Sequence, residues 1–125
     1  MIIVSLPIAD RRTSYRFYGE GLGFEAIGEP ASDGVPEPLQ FALNDGVRLM
    51  LVPHTGFGWV IGDHEVAEPG HSECVLNLEA DVDETIERAR RAGARIVSEP
   101  EQQPWGYAGT FADPDQHLWM VTLPR

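Results

Sequence analysis

A lone cysteine, Cys74, has no second thiol in the chain to join, so no intramolecular disulfide holds this protein together. That agrees with a reducing compartment, and the cytoplasm is the expected location. Cys74 itself is expected to pack against a helix, as a small apolar side chain. Basic residues are scarce as well: nine Lys and Arg stand against twenty Asp and Glu, giving a net charge of −11, and the few cations form no patch outside one helix. Such a chain repels phosphate backbones, which removes nucleic acid from the expected partners. No apolar run approaches the ~20 residues of a membrane-spanning helix, and the stretch from Met1 to Pro7 has neither a basic leader nor a small-residue cleavage site. A membrane partner and secretion are therefore not expected. Missing too are a Ser-His-Asp order, a phosphate-cradling glycine loop and paired zinc-type cysteines. The four histidines, at 54, 64, 71 and 117, do not stand at paired ligand spacings, so neither a metal nor another cofactor is expected from them.

What is present is enough for one domain: 125 residues, with an ordinary apolar fraction of 42%. Ile2, Val4 and Leu6 alternate with Ile3, Ser5 and Pro7, the period of a strand with two different faces. Asp10 is placed to cap a helix over 11–21, which Gly23 stops. Strands are expected over 24–27, 39–43 and 47–52, the last two joined by the turn Asn44-Asp45-Gly46. A linking loop is read over 53–72. The same order then recurs: a strand over 73–78, a helix over 82–92 opened by Asp81 and Glu84 in the manner of a capping box, and strands over 94–97, 109–112 and 118–122. Matching Ile3 to Glu73 and Met50 to Met120 gives the same offset of 70, so the chain reads as two tandem βαβββ modules, one over 1-52 and the other over 73-125. Each module alone leaves one sheet face uncovered. Pairing of the halves, in the chain or across a homodimer, is expected to build a cupped mixed β-sheet of α+β class with flanking helices.

Several runs carry a family resemblance: Ser14-Tyr15-Arg16-Phe17-Tyr18 with Gly21-Leu22-Gly23-Phe24, the helix end Arg91-Ala92-Gly93-Ala94, and Pro104-Trp105-Gly106-Tyr107 followed by Phe111-Ala112-Asp113-Pro114-Asp115-Gln116-His117-Leu118-Trp119. They resemble the vicinal-oxygen-chelate superfamily of glyoxalases, bleomycin resistance proteins and extradiol dioxygenases, over essentially the whole chain. In metal-using members, His or carboxylate ligands from the first and last strands of each half hold a divalent ion that polarises paired substrate oxygens. Carried over by position, this resemblance implies Ile3, Met50 and Met120, none of them a ligand for a hard cation. The fourth position falls on Cys74 or Glu73, with Glu73 preferred because it keeps the offset of 70. Gln116 stands where the family writes glycine, which strains the turn if it needs positive φ.

Alternation would point Ser5, Arg48, Met50, Glu73, Asn77 and Met120 into the cup, together with Ile3, Val75 and Leu118. Methionines adapt to flat organic ligands, but they also plug cores. Arg48 and Glu73 would orient a ligand or pair with each other, and Glu73 is the one candidate for moving a proton. Phe57 and Trp59, in the linking loop, and Trp105 and Tyr107 are aromatic residues fit either to close a pocket or to meet a partner copy. The reading favoured at this level is a metal-independent protein that binds a small aromatic or cationic molecule such as an antibiotic. A glyoxalase-like lyase or isomerase with a non-standard ligand set is the alternative, so whether a reaction is catalysed stays open.

Overall fold

The computed structural model describes residues 1–124, which divide after Ala67 into two compact units. In the first, β1 (Ile2–Ile8) leads into α1 (Arg11–Tyr15), which continues as a π-helical turn over Arg16–Gly21. The wider turn is closed by the Leu22 amide donating to the Phe17 carbonyl at 3.0 Å. Strands β2 (Glu25–Ile27), β3 (Leu39–Asn44) and β4 (Val47–Pro53) complete a four-stranded mixed sheet of order β1-β4-β3-β2, with β1 and β4 parallel. In the second unit, β5 (Leu76–Glu79), α3 (Val82–Arg91), β6 (Arg95–Gln103), β7 (Gly106–Ala112) and β8 (Leu118–Thr122) repeat the order as β5-β8-β7-β6, with β5 and β8 parallel. The duplicated βαβββ grammar read from the sequence is thus the architecture.

Each unit is held by one face of its sheet. In the first, Leu6, Ile8, Phe41, Leu49 and Leu51 are buried together with Phe17, Tyr18 and Leu22 of the helical segment. The Tyr18 ring lies 5.8 Å from that of Phe41. In the second, Trp119 and Phe111 stack with centroids 6.2 Å apart and planes 4° from parallel, and α3 adds the buried Val82, Ile86 and Ala89. The helices start where the sequence places their caps: the Asp10 carboxylate accepts from the Thr13 amide and hydroxyl, and Asp81 accepts from the Glu84 amide at 3.0 Å.

The Thr13 bonds, with smaller help from the charges of Arg12 and Arg16, hold the Asp10 carboxyl below its ordinary value of 3.8. A depressed folded-state pKa stabilises the fold above the unfolded value, and that contribution is lost as pH falls through the folded one. An Asp10→Ala variant is therefore expected to melt below the wild type by a constant margin at neutral pH. The margin should shrink in acid below 3.8, which parallel melting curves measure.

Three expectations are corrected. The linking loop holds a helix, α2 (His54–Ile61), which packs on β1 and β4; Gly56 and Gly58 and the lack of a side-chain cap conceal it in the sequence. The strand read over 73–78 begins only at Leu76, so Glu73 lies in a bend before it and Cys74 is exposed instead of packed on a helix. β6 and β7 run on as a long hairpin, so Tyr107 belongs to a strand and only Pro104 and Trp105 form the turn. One suspicion is met: Gln116 sits at φ 69°, with its side-chain carbonyl accepting from Arg95 Nε at 3.2 Å.

Candidate functional site

A concavity lies on the uncovered face of the second unit's sheet. The parallel register sets Asn77 beside Met120 and Glu79 beside Thr122. Because strand side chains alternate, these four residues share the face opposite Trp119 and Val121. On the other side of β8, Thr110 stands opposite Met120 and Ala108 opposite Thr122. The β6–β7 hairpin carries the wall further, through Gln102 to Trp105. Gly106 opens the return strand at φ 152°, a conformation that favours glycine. Together these elements enclose an open hollow of about 770 Å³, with Asn77, Glu79, Gln102, Trp105, Met120 and Thr122 among its walls. That volume is of the order of small-molecule sites.

The walls are chemically mixed. Trp105 is 62% exposed, so much of its indole is open to a ligand. Thr122 Oγ1 donates to Asn77 Oδ1 at 3.3 Å, which leaves the Asn77 amide nitrogen as the donor toward incoming groups. Glu79 supplies the carboxylate, and among the described residues that line the hollow it is the only charged side chain. Tyr107 also borders the hollow, yet its hydroxyl donates to Asp83 Oδ1 of α3 at 2.5 Å. That bond, followed by partial desolvation and the charges of Asp83 and Asp81, raises the tyrosine pKa above 10.0. Tyr107 thereby ties the hairpin that carries Trp105 to the first turn of α3.

Of the residues singled out in the sequence, the hollow unites Asn77, Trp105, Tyr107 and Met120. Ser5, Arg48 and Met50 belong to the first unit, where Ser5 pairs with Met50 and Arg48 with Ile3 on the uncovered sheet face. Gln40 lies opposite Met50, and its buried side-chain oxygen has no hydrogen-bond partner among the described residues. Phe57 and Trp59 lie on α2, the first half-buried and the second 85% exposed. Glu73 is exposed in its bend. Sequence reasoning missed Glu79, Gln102 and Thr122. Extending the inward alternation of Asn77 and Met120 by two residues would have found Glu79 and Thr122.

The register also revises how the two modules match. Leu49 and Trp119 are 70 residues apart, but their strand partners Val4 and Leu76 are 72 apart. The counterpart of Ile3 is therefore Val75, not Glu73 or Cys74. Both Ile3 and Val75 are exposed aliphatic side chains. The positions implied for a divalent ion thus carry isoleucine, methionine, valine and methionine, a set without a hard donor. Among the described residues no group of three His, Cys, Asp or Glu is placed to hold a metal ion. The residues present do not fit the ion that metal-using relatives hold there.

A family sequence profile described as the Glyoxalase/Bleomycin resistance protein/Dioxygenase superfamily matches residues 3–121. The chain belongs to that superfamily. Solved structures from the glyoxalase/bleomycin resistance protein/dioxygenase fold match it over almost its whole length. A glyoxalase-related enzyme from Fulvimarina pelagi is 28% identical with a TM-score of 0.80, covering 99% of this chain and 87% of its own. TnmS3, an antibiotic binding protein from Streptomyces sp. CB03234, is 26% identical with a TM-score of 0.69, covering 98% and 93%. The hypothetical protein SA1046 from S. aureus, 22% identical, superposes with a TM-score of 0.81 over 99% of this chain and 92% of its own, and bears on the fold alone. Among curated proteins none matches this superfamily member.

Proposed function

We propose that this superfamily member is a metal-independent binding protein for small aromatic molecules, and that it sequesters an antibiotic-like compound in the cytoplasm as a homodimer. The observation that carries the reading is the hollow beside β8, where an exposed indole and a methionine thioether stand against an amide and a carboxylate. A planar ring gains stacking on Trp105 and an adaptable contact on Met120, while Asn77 and Thr122 fix its polar edge. The described lining residues include no histidine, no cysteine and no second carboxylate. Glu79 and Tyr107 are the titratable side chains among them, and the Tyr107 hydroxyl is committed to Asp83, so retention of the ligand fits the residues better than its conversion. The 26% identity to an antibiotic binding protein agrees with the reading.

Binding to the native state alone raises the melting temperature in proportion to the logarithm of ligand concentration over Kd. A panel of planar aromatic antibiotics and dyes is expected to give such shifts. Trp105→Ala should weaken the active compounds by about three- to tenfold without changing the melting temperature of the free protein by much. A panel that never shifts the wild type would overturn the proposal. So would a tightly held divalent ion, one per chain, in elemental analysis of protein purified without a histidine tag, since that is the signature of a metal-dependent lyase or isomerase. Sedimentation showing only monomer would remove the dimer.

A further inference from the structure

We infer that the hollow selects planar ligands with a hydrogen-bond acceptor at the ring edge, such as a ring carbonyl, and that Asn77 reads this acceptor while Thr122 holds Asn77 in the orientation that reads it. The inference rests on the hollow being the ligand site. Asn77 and Met120 are direct partners in the parallel register, about 4.8 Å apart across the strands, so a ring seated on the thioether brings its edge alongside the amide. A carboxamide ends in an acceptor on one side and a donor on the other. Thr122 decides which side is offered: its hydroxyl gives its only proton to Asn77 Oδ1 at 3.3 Å, which turns the nitrogen away from Thr122. That nitrogen has no hydrogen-bond partner among the described residues. Tyr107 and Gln102, which also line the hollow and carry donors, engage theirs with Asp83 and with the Gln103 carbonyl. Asn77 is exposed, so water accepts from it in the free protein. A ligand carbonyl replaces that water, whereas a hydrocarbon edge drives it off and leaves the donor unmatched.

The test uses 9-fluorenone and fluorene, two neutral flat molecules of nearly the same outline that differ by a carbonyl in place of a methylene. Both Kd values are measured by equilibrium dialysis at neutral pH on the full chain and on Asn77→Leu, Thr122→Val and Thr122→Ser. Their ratio within each protein cancels any loss of shape or stability that weakens both ligands alike. Asn77→Leu, similar in size but without a donor, is expected to lower the relative affinity for 9-fluorenone about fivefold against the wild type. Thr122→Val keeps the outline but frees the amide to offer either side, and should lower it about two- to threefold. Thr122→Ser returns the hydroxyl and should restore the wild-type ratio. A ratio unchanged in Asn77→Leu, with both ligands still bound, overturns the selectivity and leaves the hollow as a ligand site. A ratio unchanged in Thr122→Val, or not restored by Thr122→Ser, overturns the positioning by Thr122. Should Asn77→Leu fail to fold, the Thr122 pair decides alone, and equal ratios in its two members overturn the inference. Failure of both ligands to bind the wild type counts against the hollow itself and removes the inference with it.

Discussion

Replacing Trp119 by alanine is expected to remove about 3–5 kcal/mol from the unfolding free energy, the usual cost of excising a large buried aromatic side chain. Trp119 is 1% exposed and lies flat against Phe111. Its loss leaves a cavity under α3 that neighbouring side chains fill only in part. Met120, the next residue along β8, points the other way and is half-buried. Truncating it to alanine should cost about 1 kcal/mol, because only part of its surface leaves water on folding. The two variants exchange rank when ligand binding is measured: Met120→Ala loses the contact under the ring, whereas Trp119→Ala, where still folded, keeps it. Urea denaturation alongside dye titration reads both effects. Similar stability losses in the two variants would contradict the assignment of faces on which the hollow depends.

Gly109→Ala should destabilise by about 1–3 kcal/mol although it adds a single methyl group. Gly109 is buried on β7 beneath α3, where an added Cβ would stand 2.9 Å from Ile86 Cγ1, 3.1 Å from Ile86 Cδ1 and 3.3 Å from the Ser98 carbonyl oxygen. The helix must shift, or Ile86 must leave its rotamer. Truncating Ile86 to alanine removes both offending carbons at the cost of its own buried area, so the double variant is expected to be more stable than the sum of the two single losses implies. Strict additivity in a double-mutant cycle would show that helix and strand do not approach so closely. The approach bears on function because α3 also receives the Tyr107 hydroxyl, through which the Trp105 hairpin is anchored.

Most of the fold was legible because its signals are local and repeated. Alternation along β1 and β4, the caps Asp10 and Asp81, and the stops Gly23 and Gly93 mean the same thing wherever they occur. What escaped depends on partners far along the chain. α2 offers two glycines and no capping side chain, so only its packing on β1 and β4 makes it a helix. The extension of β6 as far as Gln103 follows from pairing with β7 across a turn of two residues, which the glycine at 106 disguised as a loop. The residues of the hollow divided along the same line. Met120 and Asn77 were readable from parity, while β5 was started three residues too early and its offset from β1 taken as 70 instead of 72, enough to favour Glu73 over Val75 and to overlook Glu79. Register is fixed by hydrogen bonding to β8, and a single strand read alone does not contain it.

The two modules keep matching hydrophobic interiors, with Phe41 opposite Leu49 in one and Phe111 opposite Trp119 in the other. On the outer face they have parted company: where the second presents Asn77 and Glu79, the first presents Ser5 and Pro7, aligned alike against Met50 and Val52. Proline on an edge strand offers neither an amide proton nor a charge. A duplicated scaffold thus carries two different outer faces, an arginine and a glutamine standing beside Ile3 and Met50 in one repeat and an asparagine and a glutamate beside Met120 and Thr122 in the other.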